Sequence, residues 1–134
     1  MALATPPSLT DPSSMLSEVA LVVDETPWEL RLWAQADGDR PDIYGPLVKE
    51  AATICTDLEL LVGRTTPRPD LRLLALELDD YLVRVLMVRV PLEAAIDRPD
   101  PTLWLWLETV ARPATLHLEK LTHALHRTAA QLGN

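Results

Sequence analysis

The chain has 134 residues and a formal net charge of −8, from 12 Lys and Arg against 20 Asp and Glu. A surface with this excess of negative charge repels phosphate groups, which argues against nucleic acids and anionic membranes as partners. The length suits one domain, and a hydrophobic content of 48% excludes a fully disordered chain.

The apolar residues are of the kind that favours helices. Leucine dominates, phenylalanine is absent and there are only 4 glycines. Leucine and alanine lose little side-chain freedom in a helix, whereas β-sandwiches and barrels need many turns and many β-branched or aromatic residues. We therefore predict an all-α fold, a compact bundle of four to five mostly antiparallel helices with Pro-marked helix starts. The bias toward Leu, Ala, Arg and Pro is also typical of a GC-rich bacterial genome.

Cysteine content and hydropathy together indicate where the protein resides. Cys55 is the single cysteine, so an internal disulfide is excluded and nothing points to secretion. The N-terminal residues lack the basic and apolar segments of a signal peptide. The apolar runs of the chain, such as Val85 to Val88 between two arginines, are too short to cross a membrane. We expect a cytoplasmic protein.

The N-terminal third is divided by prolines. We interpret residues 1–11 as a flexible leader and residues 12–134 as a single helical domain. A first helix is predicted from Asp11-Pro12 through Val23.

Residues 26–29, Thr-Pro-Trp-Glu, have the pattern of a capping box. In that pattern Thr26 accepts hydrogen bonds from the first-turn amides, and Pro27 occupies the first helical position. The short helix that follows is expected to end by Gly38, because glycine tolerates the backbone conformation of a helix C-terminus.

The third predicted helix runs from Gly45-Pro46 to Gly63. Its apolar residues recur at steps of 4, 3, 4 and 3 residues, the heptad spacing that keeps one stripe of a helix facing a partner. We label this segment α2 and refer to these residues as the α2 seam: Leu47, Ala51, Ile54, Leu58 and Leu61.

The segment from Asp70 to Val90 is rich enough in branched residues to resemble a buried strand. Helical spacing gathers its charges on one side, whereas a strand would scatter them over both faces: Arg72, Glu77, Asp79, Asp80 and Arg84. Asp80 also lies four residues before Arg84, as in a helical ion pair. We therefore predict a helix with a solvated charged face, kinked or broken at Pro91.

A last helix is predicted from Pro101 to Leu132, capped by Asp100 and broken or bent at Pro113. Trp104 and Trp106 diverge by about 200° on a helix, so both cannot face one core. That turn is apolar all round, which is typical either of a sandwiched helix or of an interaction site.

The distribution of charge along the chain is uneven. The first basic residue is Arg31, and every charged residue before it is acidic, whereas the segment after Arg112 leans basic and contains all 3 histidines. Either the two ends attract each other, within the chain or between copies, or these are ordinary surface charges.

The histidines are the strongest candidates for chemistry. Glu119, His123 and His126 share one helical face, and imidazole and carboxylate groups are ligands for zinc or iron. No second helix has a matching pair, so we assign no metal and no cofactor, and a solvated polar face near a helix C-terminus is the simpler interpretation. Cys55 lies beside the α2 seam, where a buried cysteine behaves as a small apolar residue. We assign no catalytic residue, and whether the protein is an enzyme stays open, with the balance against it.

The sequence as a whole is most typical of a small acidic interaction module, that is, a regulator, an assembly factor or a partner-binding subunit. The expected partner is a protein, in the first place a second copy as a homodimer, and neither nucleic acid nor membrane. The predicted interface residues are Trp104, Trp106, Leu47, Ile54, Leu58 and Leu61. The alternative is a ligand-binding bundle or an enzyme with a pocket near the C-terminal histidines. A third interpretation is an acidic mimic that occupies a basic partner.

Overall fold

The computed structural model describes residues 16–27, 30–31, 44–63, 70–98 and 100–133. In these ranges every regular element is helical, which confirms the predicted all-α bundle. The α-helices are α1 (Ser17–Asp24), α2 (Gly45–Gly63), α3 (Leu71–Asp97) and α4 (Arg112–Gly133). Between α3 and α4 the chain forms a 3₁₀-helix (Pro101–Leu103), one α-helical turn (Trp104–Trp106) and a π-helix (Leu107–Ala111).

The core lies where the four helices meet. α3 and α4 form the most extensive pair, α2 packs on α3, and α1 packs on both α4 and α2. Ala95 near the end of α3 contacts Leu107 and Ala111 just before α4, as expected for an antiparallel pair joined by a short connection. The largest fully buried side chains include Val19, Ile54, Leu58, Leu78, Val85, Leu92, Leu118, Leu121 and Leu125.

The helix starts follow the local signals. Asp70 caps α3, since its carboxylate accepts hydrogen bonds from the amides of Arg72 and Leu73 at 3.0 and 3.3 Å. Asp100 does the same for the next segment and accepts from the Thr102 amide at 2.9 Å, with Pro101 at the first helical position. The bounds of α2 are those predicted from its flanking glycines.

Two proline expectations have different outcomes. Of the kink or break predicted at Pro91, the break was wrong: α3 continues through this residue to Asp97. Leu92 is fully buried and Ala95 nearly so, and their packing holds the last turns although one backbone hydrogen bond is lost. Near Pro113 the helix is irregular but unbroken. The π-helix Leu107–Ala111 precedes it directly, and a wider turn there relieves the clash between the proline ring and the carbonyl of Thr109.

The capping box at residues 26–29 is described in part, because Trp28 and Glu29 lie outside the described residues, as do the leader and residues 32–43 with Gly38. The amides of Leu30 and Arg31 donate to the Pro27 carbonyl at 3.1 and 3.4 Å, as in a first helical turn. The Thr26 hydroxyl donates backward to the Val23 carbonyl and so closes the end of α1.

The charges of the two chain ends pair within the molecule. Glu25 lies 4.0 Å from Lys120, and Glu18 forms an ion pair with Arg127, so both pairs join α1 to α4. All four side chains are largely exposed, and such pairs contribute little to stability. Attraction between copies is therefore not needed to explain this charge pattern.

Candidate protein-interaction surface

One exposed face of α3 carries a row of apolar side chains that are not part of the buried core. Five side chains between 56% and 69% exposed lie on it: Leu73, Leu76, Val83, Met87 and Val90. We call them the α3 stripe. With Asp80 at the remaining position, they follow steps of 3, 4, 3, 4 and 3 residues, the heptad spacing of a helix that packs on another helix.

The α3 stripe is separate from the core of this chain. The buried residues of α3 include Leu74, Leu78, Val85 and Leu92, and helical geometry places them roughly 170° around the helix from the stripe. From Leu73 to Val90 the stripe extends for about 26 Å along the axis. Single exposed apolar residues are common on protein surfaces, but five in one heptad row on one helix face are typical of an interaction surface.

Charged residues border the stripe on the side of α2. Arg84 donates to Glu50 through Nε and Nη2, at 3.1 and 2.7 Å, and to Asp57 through Nη1 at 3.2 Å. The hydrogen bond to Glu50, with a smaller contribution from Asp57, raises the pKa of Arg84 above its ordinary value. The predicted ion pair between Asp80 and Arg84 was wrong. Arg84 instead pairs with α2, where two carboxylates are within reach of one guanidinium.

A groove of about 430 Å³ runs between α2 and α3 beside the stripe. Its floor and walls include Asp57, Leu60, Glu77, Asp80 and Tyr81. Leu60 is 61% exposed, so apolar surface extends from the stripe onto the edge of α2. Glu77 and Asp80 are exposed, as their position on the charged face predicts.

The α2 seam faces the inside of the molecule. Ala51, Ile54 and Leu58 are fully buried, Leu61 is 8% exposed, and Leu47 is partly buried against the same core. The partners of the seam are the other helices of this chain, because α2 packs on α1 and α3.

Trp104 and Trp106 point in different directions, as their spacing requires. Trp104 is 63% exposed and the adjacent Leu105 is 66% exposed. Trp106 is partly buried, and its ring stacks on that of Tyr44 with centroids 5.2 Å apart. A role of Trp104 at an interface stays a prediction, while Trp106 contributes to packing within the chain.

A second cluster of polar groups lies inside the bundle, where α1, α2 and α4 meet. His117 is 4% exposed, and its Nε2 lies 3.4 Å from the Thr26 hydroxyl and 3.7 Å from the Cys55 sulfur. The one hydroxyl proton of Thr26 is donated to the Val23 carbonyl. A hydrogen bond between Thr26 and His117 therefore requires that Nε2 carries the imidazole proton and donates it.

The electrostatics of this cluster keep both groups neutral. Burial lowers the pKa of His117 to about 4, against an opposing contribution from Glu25. Burial also raises the pKa of the Cys55 thiol. A cysteine nucleophile needs a thiolate and a base that takes its proton, and an imidazole that donates from Nε2 to Thr26 does not take that proton. The arrangement fits a buried polar contact and not a catalytic pair.

The other histidines are at the surface of α4. Glu119, His123 and His126 are all exposed. Across the described residues no group of three or more His, Cys, Asp or Glu side chains is placed to hold a metal ion. The described helices also include none with the length and apolarity needed to cross a membrane.

No protein-family model matches this chain, and no curated protein sequence and no solved structure is detectably similar to it.

The α3 stripe is the feature that sequence reasoning missed. From the sequence, the charged residues of this helix predicted a solvated face. Asp80 also interrupts the apolar row at its centre. The signal was nonetheless present, because residues 73, 76, 83, 87 and 90 keep a strict heptad register across that interruption.

Proposed function

We propose that this protein is a small helical interaction module that self-associates through the α3 stripe. The observation that carries the proposal is the exposed heptad row, which lies on the opposite side of α3 from the buried residues. A heptad row on an exposed face leaves its apolar side chains in water until a second helix covers them.

A second copy of the chain is the partner that fits this surface best. A two-fold interface uses the same patch on both subunits, so a self-complementary patch is required. The stripe is compatible with that requirement, because apolar side chains occupy five of its six heptad positions and acidic and basic residues border it. Arg72 and Glu77 lie at one end, Arg84 lies in the second half, and Glu93 lies three residues beyond Val90 at the other end.

The size of the stripe indicates a reversible dimer. Full burial of one such side chain contributes about 1.5–3 kcal/mol, so burial of the exposed part contributes roughly 1 kcal/mol or slightly more. Ten side chains, five from each copy, give a gross gain on the order of 10 kcal/mol. The cost of association is of similar size, about 4–15 kcal/mol. We therefore expect a dimer that dissociates on dilution.

The test is a matched pair of substitutions compared by solution mass at one fixed concentration. Leu76→Glu places a charge in the stripe, whereas Leu116→Glu places the same charge on α4 at a residue of equal type and near-equal exposure, 57% against 60%. Leu76→Glu is expected to weaken the dimer by about a hundredfold or more, because each of the two copies loses an apolar contact and buries a charge.

Leu116→Glu is expected to leave the dimer unchanged. Circular dichroism controls for folding, and both variants should remain helical because both residues are exposed. Equal dissociation by the two variants, or by neither, would refute the assignment of the interface to the stripe.

A further inference from the structure

The position of Asp80 in the stripe points to the orientation of the partner, an inference that rests on the proposed self-association. We infer that two α3 helices pack antiparallel, with Leu73 opposite Val90 of the second copy and Leu76 opposite Met87. In this register all six heptad positions overlap, and Asp80 lies opposite Val83 of the second copy.

A parallel pair would bring like charges together. In a parallel heptad dimer each residue of the row meets its own counterpart. Asp80 would then face Asp80 of the second copy at the centre of the interface, with the adjacent Asp79 nearby. The nearest Arg84 lies one helical turn, about 6 Å, farther along the axis, so two carboxylates would be desolvated against each other at one level, which is strongly unfavourable.

The antiparallel pair separates the two Asp80 side chains by three residues, about 4.5 Å along the axis, and brings a cation to each. Helical rise places Arg84 of the second copy within about 1.5 Å of the level of Asp80 along the axis, and on the same side of the interface. Glu50 and Asp57 use three N–H donors of Arg84 in the described part of the chain. A guanidinium has five such donors, so Arg84 can bind a third carboxylate while it holds both.

The charges beside the stripe do not decide the orientation, which is why Asp80 matters. Arg72 can approach Glu93 of the second copy in an antiparallel pair and Glu77 of the second copy in a parallel pair, and both contacts are attractive. A single polar residue in an apolar heptad row is known to specify register and oligomeric state at some expense of stability. Asp80 has that position here.

Disulfide cross-linking between single-cysteine variants tests the orientation. Leu76→Cys and Met87→Cys are each made in a Cys55→Ala background, and each is oxidised alone and as an equimolar mixture. Solution mass is measured first, under reducing conditions, so that loss of the dimer is recognised separately. Leu116→Cys in the same background is the control, because this residue lies outside the stripe and its cross-linking measures disulfides that form by random collision.

The antiparallel register predicts disulfide-linked dimer only in the mixture, in up to about half of the dimers, the share that random pairing allows. In an antiparallel dimer of Leu76→Cys alone, the two introduced sulfurs are about 16 Å apart along the axis, beyond the reach of a disulfide. Efficient cross-linking of each variant with itself would overturn the antiparallel orientation while leaving self-association intact. Monomeric variants under reducing conditions, together with a monomeric parent, would overturn self-association itself.

Discussion

Acid should destabilise the fold through His117. The imidazole is 4% exposed, and burial lowers its pKa from the ordinary 6.5 to about 4. Above pH 6.5 the ring is neutral in both the folded and the unfolded chain, so the full stability is present. Between pH 6.5 and about 4 the unfolded chain binds the proton and the folded chain does not, so the free energy of unfolding falls as the pH falls.

The expected loss follows from the two pKa values. A tenfold change in proton affinity equals about 1.4 kcal/mol, so His117 accounts for a loss of roughly 3 kcal/mol between pH 7 and pH 4. Carboxylates also titrate in this range, and a difference measurement removes their contribution. His117→Gln keeps an N–H donor near Thr26 and has no group that titrates here.

Urea denaturation followed by circular dichroism, at several pH values and one protein concentration, gives the free energy of unfolding of both proteins. The unmodified protein should lose roughly 2–3 kcal/mol more than His117→Gln between pH 7 and pH 4. His123→Gln, an exposed histidine of the same helix, is the control and should behave as the unmodified protein does. Parallel pH profiles for His117→Gln and the unmodified protein would refute the assignment of His117 as buried and neutral.

Two further predictions concern residues of the core. Leu58→Ala should lower the free energy of unfolding by about 2–5 kcal/mol, as expected for a fully buried leucine; a variant that dissociates the dimer without loss of stability would instead place Leu58 at an interface. The Cys55 thiol should react with Ellman's reagent only at the rate at which the structure opens, because burial raises its pKa and excludes the reagent. The comparison is an exposed cysteine, Leu116→Cys in the Cys55→Ala background, with both reactions followed by absorbance. If Cys55 reacted as rapidly as that cysteine, the Cys55 site would be open to the reagent.

The parts of the fold that local chemistry determines were predictable. The start of α3 follows from the Asp70 cap, and both ends of α2 follow from its glycines and heptad pattern. The divergence of Trp104 and Trp106 follows from helical geometry alone. In each case the residues that decide the outcome are neighbours in the sequence.

The features that were missed depend on contacts between distant segments. Pro91 remains inside α3 because the residues after it are buried against other elements. Arg84 pairs with α2 residues 27 and 34 positions away, and His117 lies 62 positions from Cys55. Only the packed structure also reveals that the apolar row of α3 stays uncovered by the rest of the described chain.

The most direct test of self-association is the solution mass of the unmodified protein across a dilution series, measured by sedimentation equilibrium. The α3 stripe predicts a dimer at high concentration that dissociates to monomer on dilution, and that persists at high salt because its driving force is apolar. A strict monomer of 14.9 kDa at the highest concentration reached would contradict the account.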